Sequence, residues 1–417
     1  MEVDSKSIST QAIEELSKEL IQQRELGVTE EGERLIELQI GPTHPGSGHM
    51  RIRVWVDGDI IVRCDPDIGF VFRTIEKLSE NRIYMKTIPL VERPSLLDTT
   101  PMTIGYINAL EKLMGIEPPP RAKYLRTILA ELTRIASHLY GIGIFAIFLG
   151  HSTGFMWGFG DRELFVELAN QLSGARITYA YVIPGGVRRD MPQSFPDNVE
   201  KALRYFEKRL PDWYKMFLNN PVVEKRLREV GILRKNDAAK LGITGPNLRA
   251  SGIEYDVRIA DPYEAYDELD FMVPVADEGD AYARALVRFE EIKQSINIIR
   301  DALRKMPGGD IIHPQIARMF NPLMKKIYEE SRRVKFPGVF ASLKPPKGEA
   351  TARVEAGRGE ALFYLVSDGS PKPYRFRWTT PSYRNAILFK YLVPGHRLAD
   401  LPAIYGSIDY FPPEADR

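Results

Sequence analysis

Apolar and polar residues alternate along the chain between residues 35 and 63, which is typical of strands with one buried face. The alternating runs are Leu35–Ile40, Arg51–Val56 and Ile60–Arg63. Asp57-Gly58, between the second run and the third, is a common hairpin turn. Ahead of these runs, residues 8–26 place apolar side chains at helical spacing. Residues 1–66 are therefore predicted to form a short amphipathic helix and an antiparallel sheet.

A helical period dominates residues 67–341, which we predict to be a helical core. Its longest apolar stripe runs from Arg121 to Leu149, directly after three prolines. Further helices are predicted at residues 161–181, 195–218, 279–305 and 314–333. In residues 342–417 the alternation returns, and a turn at Ser367–Pro371 predicts a hairpin of residues 360–366 and 374–378. The predicted fold class is α+β, with a helical core between an N-terminal sheet and a C-terminal hairpin and tail.

Composition narrows the functions open to this chain. Its 57 basic and 56 acidic residues give a net charge of +1, so no overall charge favours nucleic acid as a partner. The single cysteine, Cys64, excludes an internal disulfide and any cysteine-rich metal or iron–sulfur site within the chain. The most apolar run, Leu139–Gly150, is shorter than the ~20 residues that cross a bilayer. We interpret it as the buried end of a core helix.

Residue types and motifs alone indicate few candidate catalytic residues. His44 and His49 lie in one Gly/Pro-rich loop and are the most plausible proton carriers. Arg73 and Arg93 lie in otherwise apolar stretches, where they either form surface ion pairs or face an anionic group. No phosphate loop, dinucleotide fingerprint or serine nucleophile elbow occurs in the sequence.

Two segments at opposite ends of the chain, LVERPSLLD (Leu90–Asp98) and DYFPPEADR (Asp409–Arg417), resemble the metal-binding segments of [NiFe]-hydrogenase large subunits. In that family the two segments supply four thiolates. Here those four positions hold Ser95, Asp98, Phe411 and Glu414. A nickel–iron centre requires thiolates, so no metal is expected at this place. The resemblance nevertheless predicts that the two segments approach within side-chain contact.

Longer segments resemble the quinone-site large subunit of respiratory complex I, itself a counterpart of the hydrogenase large subunit. The similar segments are Gly41–Pro45, Asp65–Leu78, Ala109–Leu139, Ser173–Val187, Gly242–Ile253, Tyr364–Arg375 and Pro394–Arg417. They follow in order along nearly the whole chain. The resemblance implies a hydrogenase-like fold and a site beside an iron–sulfur cluster that belongs to a neighbouring subunit.

The departures from the complex I pattern concern the quinone headgroup. The position of the family's tyrosine holds Leu96, and that of its aspartate holds Phe148. The loop histidine corresponds to Gly48 or His49. Thr178 replaces a histidine beside the cluster, whereas Arg73 retains the arginine there. Without a hydroxyl donor the quinone oxygen would be unpaired, at a cost of ~1–3 kcal/mol, so ordinary quinone reduction is not expected.

The sequence looks most similar to the large subunit of the membrane-bound sulfane sulfur reductases of heat-loving archaea. That resemblance implies a peripheral subunit at the cytoplasmic face of the cell membrane. It also implies an iron–sulfur small subunit with a proximal [4Fe-4S] cluster, other hydrophilic-arm subunits, ion-pumping membrane subunits and ferredoxin as donor. Electrons would reach a polysulfide or an organic trisulfide. No cofactor is expected on this chain alone.

The catalytic residues expected from this reading are of two kinds. Proton donors would be His44, His49, Asp98 and Glu414, with Ser95 beside them. Arg73 and Arg93 would stabilise developing negative charge, and Arg73 would also face the partner's [4Fe-4S] cluster.

Two alternatives remain open at this point. One is a quinone, F420 or phenazine-type dehydrogenase subunit with a variant pocket. The other is a non-catalytic subunit that only couples the redox arm to the membrane arm.

Overall fold

The computed structural model describes residues 35–44, 48–319 and 343–417. The predicted helix at residues 8–26 and most of the one at 314–333 lie outside these ranges, although residues 314–319 are helical. The N-terminal sheet is antiparallel in the order β1-β2-β3. Its strands are β1 (Ile36–Ile40), β2 (Arg51–Asp57) and β3 (Ile60–Asp67). The alternation places Ile52, Val54 and Val56 in the core, so this prediction is confirmed.

Helices fill the middle of the chain. They are α1 (Ile75–Glu80), α2 (Tyr84–Glu92), α3 (Thr99–Met114), α4 (Pro120–Phe148), α5 (Ser152–Ser173), α6 (Phe195–Trp213), α7 (Pro221–Leu227), α8 (Lys235–Lys240), α9 (Pro246–Arg249), α10 (Val257–Ala260) and α11 (Ala281–Lys305). A π-helical turn at Tyr214–Leu218 continues α6. A short β4–β5 ribbon, Val182–Ile183 with Gly186–Val187, separates α5 from α6. Among the described residues, no helix is both long and apolar enough to cross a membrane.

Helix α4 is the axis of the helical core. Its apolar stripe is buried along its length, and Leu139, Ile142 and Phe145 at its C-terminal end are also buried. The interpretation of Leu139–Gly150 as the end of a core helix is therefore confirmed. Helices α5 and α11 pack along α4, and α3 connects it to the C-terminal sheet.

The predicted helix at residues 161–181 was wrong at both ends. Helix α5 starts nine residues earlier, where the His151 ring accepts a hydrogen bond from Gly154 N and caps the helix. It ends at Ser173, because Gly174 takes a left-handed conformation with φ of 81°. Two glycines of α5, Gly154 and Gly158, serve close packing against α4. A Cβ on Gly158 would lie 2.8 Å from Leu139 O and 2.9 Å from Gly143 Cα.

The C-terminal sheet has three antiparallel strands in the order β6-β7-β8. They are β6 (Gly348–Ala356), β7 (Gly359–Ser367) and β8 (Arg375–Thr379). The predicted hairpin is β7–β8. Strand β6 was missed, and only Gly357 and Arg358 connect it to β7.

The chain then returns to the core through short helices. They are α12 (Pro381–Asn385), α13 (Ile387–Leu392), α14 (Leu401–Ile408) and α15 (Pro412–Asp416). Helix α14 packs against α4 and α11, and α15 packs against α12. The fold thus brings the C-terminal residues beside the start of α3.

We expect Gly158→Ala to lower the free energy of unfolding by ~1–3 kcal/mol, the usual cost of overpacking. The added methyl would meet the backbone of α4, which cannot move aside as a flexible side chain can. Gly160→Ala is the matched control, because nothing lies within 4 Å of its Cβ position. It should instead gain up to ~1 kcal/mol from helix propensity. Denaturant unfolding of both variants measures the difference, and equal effects would contradict the packing argument.

Candidate functional site

The two terminal segments meet inside the protein, as the resemblance predicted. Ser95 Oγ donates a hydrogen bond of 2.6 Å to Glu414 Oε2, across 319 positions of sequence. The backbone amide of Ser382 donates to the other carboxylate oxygen of Glu414 at 2.9 Å. Ser95, Asp98 and Glu414 are all fully buried. Three of the four positions that hold thiolates in the hydrogenases, Ser95, Asp98 and Glu414, are therefore enclosed in the core.

Arg358 supplies the positive charge of this cluster. Its Nη1 donates to Asp98 Oδ2 at 2.7 Å and lies 3.8 Å from Glu414 Oε2. Its Nε donates to the carbonyl oxygen of Asp409 at 3.0 Å, and its Nη2 reaches the Asp409 carboxylate at 3.4 Å. We call Asp98, Arg358, Asp409 and Glu414 the ion cluster.

The local fold aims Arg358 at these carboxylates. It lies at the two-residue connection between β6 and β7, so the hairpin inserts its tip into the core. Next to it, Gly357 N donates to Asp98 Oδ1 at 3.1 Å, where a Cβ on Gly357 would lie 2.9 Å from the same oxygen. From α4, Ser137 Oγ donates to Asp98 Oδ2 at 3.2 Å. The Asp98 carboxylate is thus satisfied from two elements besides Arg358.

Burial dominates the electrostatics of the ion cluster. It raises the pKa of Glu414, the nearby Asp98 carboxylate adds to the rise, and Arg358 opposes it. Asp409, Asp98 and Glu414 together hold the pKa of Arg358 above its usual value despite desolvation. The guanidinium therefore stays charged, and its positive charge stabilises the neighbouring carboxylates in the protein interior.

The ion cluster does not fit a nickel–iron centre. Its donors are hydroxyl and carboxylate oxygens, Phe411 offers none, and the Arg358 guanidinium lies 5.0 Å from the Phe411 ring centroid. The single thiol, Cys64, lies away from the ion cluster on strand β3 of the N-terminal sheet. Its side chain is buried, and burial raises the pKa of the thiol to about 12. Within the described ranges, no group of three or more His, Cys, Asp or Glu side chains is arranged to hold a metal ion.

An open pocket of about 810 Å³ lies between the N-terminal sheet and helix α14. Its lining residues are Leu38, Gln39, Ile40, Gly41, Thr43, His44, Ile52, Phe148, Leu398, Leu401, Pro402 and Tyr405. Strand β1 and its following loop form one wall, the end of α4 and helix α14 the other. The Phe148 and Tyr405 rings pack edge to face with centroids 5.2 Å apart. Gly406 permits this packing, since a Cβ there would lie 2.9 Å from the Phe148 ring.

The pocket and the ion cluster share two helices. Helix α14 carries Tyr405 in the pocket wall and ends at Asp409 in the cluster. Helix α4 carries Ser137 beside Asp98 and ends at Phe148 in the pocket. Between them, a Cβ on Gly141 would lie 3.0 Å from the Asp409 carboxylate. A shift of α14 would therefore move both Tyr405 in the pocket wall and Asp409 in the ion cluster.

A family model for the "Respiratory-chain NADH dehydrogenase, 49 Kd subunit" matches residues 149–417 of this chain. An NADH-quinone oxidoreductase subunit of Syntrophobacter fumaroxidans is 39% identical over 386 residues, which cover 92% of this chain and 97% of that protein. The chain belongs to this 49 kDa subunit family. The NADH-quinone oxidoreductase subunit of the same type from Dehalococcoides mccartyi is 40% identical over 382 residues, with 91% and 98% of the two chains covered.

Solved structures agree with the family assignment. A chain of the archaeal membrane-bound sulfane sulfur reductase is 37% identical to this one, with a TM-score of 0.83. The match covers 92% of this chain and 98% of that one, so the hydrogenase-like α+β fold expected from the sequence is confirmed. As a 49 kDa-type subunit, the chain is part of a membrane-bound electron-transferring oxidoreductase of the complex I family.

The structure separates the expected site residues of this 49 kDa-type chain into three places. His44 is exposed at the rim of the pocket, whereas His49 in the same loop is exposed and does not line it. The loop passes close to the C-terminal segment, because a Cβ on Gly48 would lie 3.2 Å from Pro412 Cγ. Asp98 and Glu414, expected as proton donors, are enclosed in the core together with Ser95, and Arg358 lies against both carboxylates.

Arg73 and Arg93 lie on the surface, as does Leu96, which is 40% exposed. The backbone of the Arg73 loop is held by the C-terminal helix. Both carboxylate oxygens of Asp416 accept hydrogen bonds from this loop, from Gly69 N at 2.8 Å and Val71 N at 2.9 Å. Helix α15 thus carries Glu414 into the ion cluster on one side and fixes the Arg73 loop on the other.

Sequence reasoning missed two residues that shape this site, Arg358 and Tyr405. The signal for Arg358 was the alternation of small apolar residues in β6, followed by a Gly-Arg-Gly turn. Glu92 is a third residue of interest, because burial raises its pKa to about 6. Its carboxylate accepts from Ala180 N at 2.8 Å and so fixes the segment that follows α5.

We expect Arg358→Gln to lower the free energy of unfolding by ~3–5 kcal/mol at neutral pH, since it leaves buried carboxylates unpaired. The deficit should shrink as the pH falls. The pKa of Glu414 is already raised and rises further without Arg358, so the stability of the folded form is lost as pH rises through that value. Denaturant unfolding between pH 5 and 8 measures the trend.

Arg397→Gln is the control for this experiment. It removes a cation from a surface pair with Asp59, in which both side chains are more than half exposed. The loss should be ~0–1 kcal/mol and nearly independent of pH in this range. An Arg358→Gln deficit that stays constant or grows towards pH 5 would contradict the assigned role of the ion cluster.

Proposed function

We propose that this chain is the acceptor-site subunit of a membrane-bound, ferredoxin-driven, ion-pumping oxidoreductase that reduces sulfane sulfur. The observation that carries the proposal is the apolar pocket with His44 at its rim and Phe148 in its wall. At the place of Phe148, the complex I pattern has an aspartate of the quinone site. The solved relative with a TM-score of 0.83 is a sulfane sulfur reductase, which supports the same class of acceptor.

Electrons would come from the proximal [4Fe-4S] cluster of an iron–sulfur small subunit. The surface that supports this arrangement carries Arg73, Arg93 and large exposed apolar side chains. Phe70 is 47% exposed, Phe72 61% and Leu96 40%. Exposed apolar and arginine side chains are characteristic of an interface with another protein. In the assembly, the subunit would lie at the cytoplasmic side of the membrane, with other hydrophilic-arm and membrane subunits attached to it.

Protons for the leaving sulfur would come from His44. It is the one acid–base side chain among the pocket-lining residues that the structure describes, apart from the Tyr405 phenol, whose pKa burial raises. Asp98 and Glu414 have no comparable access, because Arg358, Ser95 and Ser137 enclose them. Their part in the proposal is to hold α14 and the pocket wall in place.

A quinone acceptor is the second candidate, supported by the names of the curated relatives and by the apolar, aromatic wall of the pocket. Binding of a quinone analogue to the complex, together with quinone-dependent oxidation of the donor, would favour it. Normal turnover after the pocket has been filled by larger side chains would favour the remaining alternative, a non-catalytic coupling subunit.

We expect Arg73→Met to lower the reduction potential of the partner's cluster and to slow electron delivery. A fixed positive charge favours the reduced, more negative form of a nearby cluster, and methionine keeps the apolar length of the side chain. Redox-titrated EPR of the complex measures the potential. Arg204→Met, a surface change on α6, is the control. An unchanged potential in Arg73→Met would place Arg73 away from the cluster.

We expect His44→Ala to leave the cluster potential unchanged, to slow trisulfide reduction by ~10²-fold and to change its pH profile, because it removes a general acid. His49→Ala distinguishes the two loop histidines, and its turnover should stay near that of the wild type. Turnover against pH, followed with the potential in the same samples, is the measurement. A larger effect of His49→Ala would transfer the acid role to His49.

A further inference from the structure

Tyr405 places a hydroxyl group in the wall of the pocket that α14 forms. The residue is only 7% exposed. The other hydroxyl among the described lining residues belongs to Thr43, which is exposed on the loop after β1. Leu96, where the complex I pattern has a tyrosine, is not among the pocket-lining residues. The phenol of this pocket therefore comes from α14.

Two aromatic contacts fix the Tyr405 ring. The Phe148 ring meets it edge to face, and the Phe389 ring packs against it with centroids 5.2 Å apart. The Tyr405 hydroxyl oxygen lies 3.6 Å from the position that a Cβ on Gly48 would take. Since both rings restrict the side chain, its hydroxyl group stays on the side of the pocket that faces the loop of His44.

The phenol and the imidazole suit different roles. Burial raises the pKa of Tyr405, and the nearby Asp409 carboxylate and Tyr140 add to the rise. The phenol therefore keeps its proton at neutral pH and can donate a hydrogen bond. It is a poor proton donor for the same reason, because a general acid works best with a pKa near the ambient pH. Proton supply thus remains the role of His44.

We propose that the Tyr405 hydroxyl donates a hydrogen bond to the acceptor and stabilises the negative charge that develops on it during reduction. The inference rests on the proposed function and adds a catalytic residue to it. A hydrogen-bond donor that is already aimed at such charge contributes strongly to catalysis, because it needs no reorganisation during the reaction.

The role is the same for both candidate acceptors. Reduction of an S–S bond takes two electrons from the partner's cluster and two protons, breaks the bond and yields two S–H groups. Conversion of a quinone to a quinol takes the same numbers of electrons and protons. Negative charge develops on sulfur in the first case and on oxygen in the second. Tyr405 keeps its own proton in both.

The test uses the purified membrane complex with reduced ferredoxin, and dimethyl trisulfide or decyl-quinone as the acceptor. Tyr405→Phe removes the hydroxyl group and keeps both ring contacts. We expect kcat to fall roughly tenfold to a hundredfold, the usual value of a hydrogen bond to a charged group. KM should change little, because the charge develops only during the reaction. The pH profile, which His44 sets, should keep its shape.

Tyr410→Phe is the matched control. Tyr410 is also buried and packs against Phe389, with ring centroids 5.4 Å apart, but it does not line the pocket. Its kcat should stay near that of the wild type. Equal values of kcat in Tyr405→Phe and Tyr410→Phe would overturn the inference.

The alternative role of the hydroxyl group is to fasten the loop after β1. Hydrogen–deuterium exchange of the complex distinguishes this role, because a loosened loop exchanges its amides faster. We expect the exchange of this loop in Tyr405→Phe to match the wild type. Faster exchange, with a raised KM and an unchanged kcat, would overturn the inference.

A phenol at position 96 gives a further comparison. Leu96 is 40% exposed and lies outside the pocket. Leu96→Tyr combined with Tyr405→Phe should therefore be as slow as Tyr405→Phe alone. Recovery of kcat in the double variant would place the acceptor beside position 96 and overturn the inference.

Failure of the proposed function is distinguishable from failure of the inference. If the complex reduces decyl-quinone but no trisulfide, sulfur reduction is wrong. The inference is then supported if Tyr405→Phe slows quinone reduction and Tyr410→Phe does not, and it is overturned if the two variants are equal. If the complex reduces neither acceptor, both are overturned.

Discussion

One guanidinium joins three distant parts of this chain. Arg358 comes from the β6–β7 turn, Asp98 from the start of α3, and Asp409 and Glu414 from the C-terminal segment. The buried carboxylates of Asp98 and Glu414 are tolerable because each accepts hydrogen bonds from donors besides Arg358 and the cation has several acceptors. In the hydrogenase counterpart, metal ions join the same two terminal segments through thiolates. Here the Arg358 side chain supplies the positive charge between the two segments.

Buried networks of arginine and carboxylate side chains also occur elsewhere in the helical core. Glu131 on α4 accepts hydrogen bonds from Arg258, Tyr266 and Ser295. Arg249 connects Glu291 on α11 to Glu355 on β6, three residues before Arg358. These networks orient α4, α11 and the C-terminal sheet relative to one another. Their directional bonds specify the geometry, whereas the surrounding apolar packing supplies most of the free energy of folding.

The pattern of apolar and polar residues within single segments was sufficient to predict β1 to β3 and α4. Strands β1 to β3 could be recognised because alternation marks one buried face, and α4 because its apolar residues recur at helical spacing. The start of helix α5 was misplaced because Gly154 and Gly158 serve a contact with α4, which no local pattern reports. The contact of Ser95 with Glu414 followed from resemblance to a family. The segment of Arg358 could indicate a turn between two strands, but not the partners of Arg358, which are 51 to 260 positions away. The pocket depends on the same long-range arrangement.

The separation of Ser95 from Glu414 has a consequence for biosynthesis. At ~5–20 residues per second, the 319 positions between them take roughly 15–60 s to translate. For most of that interval, α3 and α4 lack Arg358 and helices α14 and α15. The nascent chain therefore exposes the apolar faces that these elements later cover. Binding of a chaperone to the emerging α4 during translation would protect the chain until its last segment arrives.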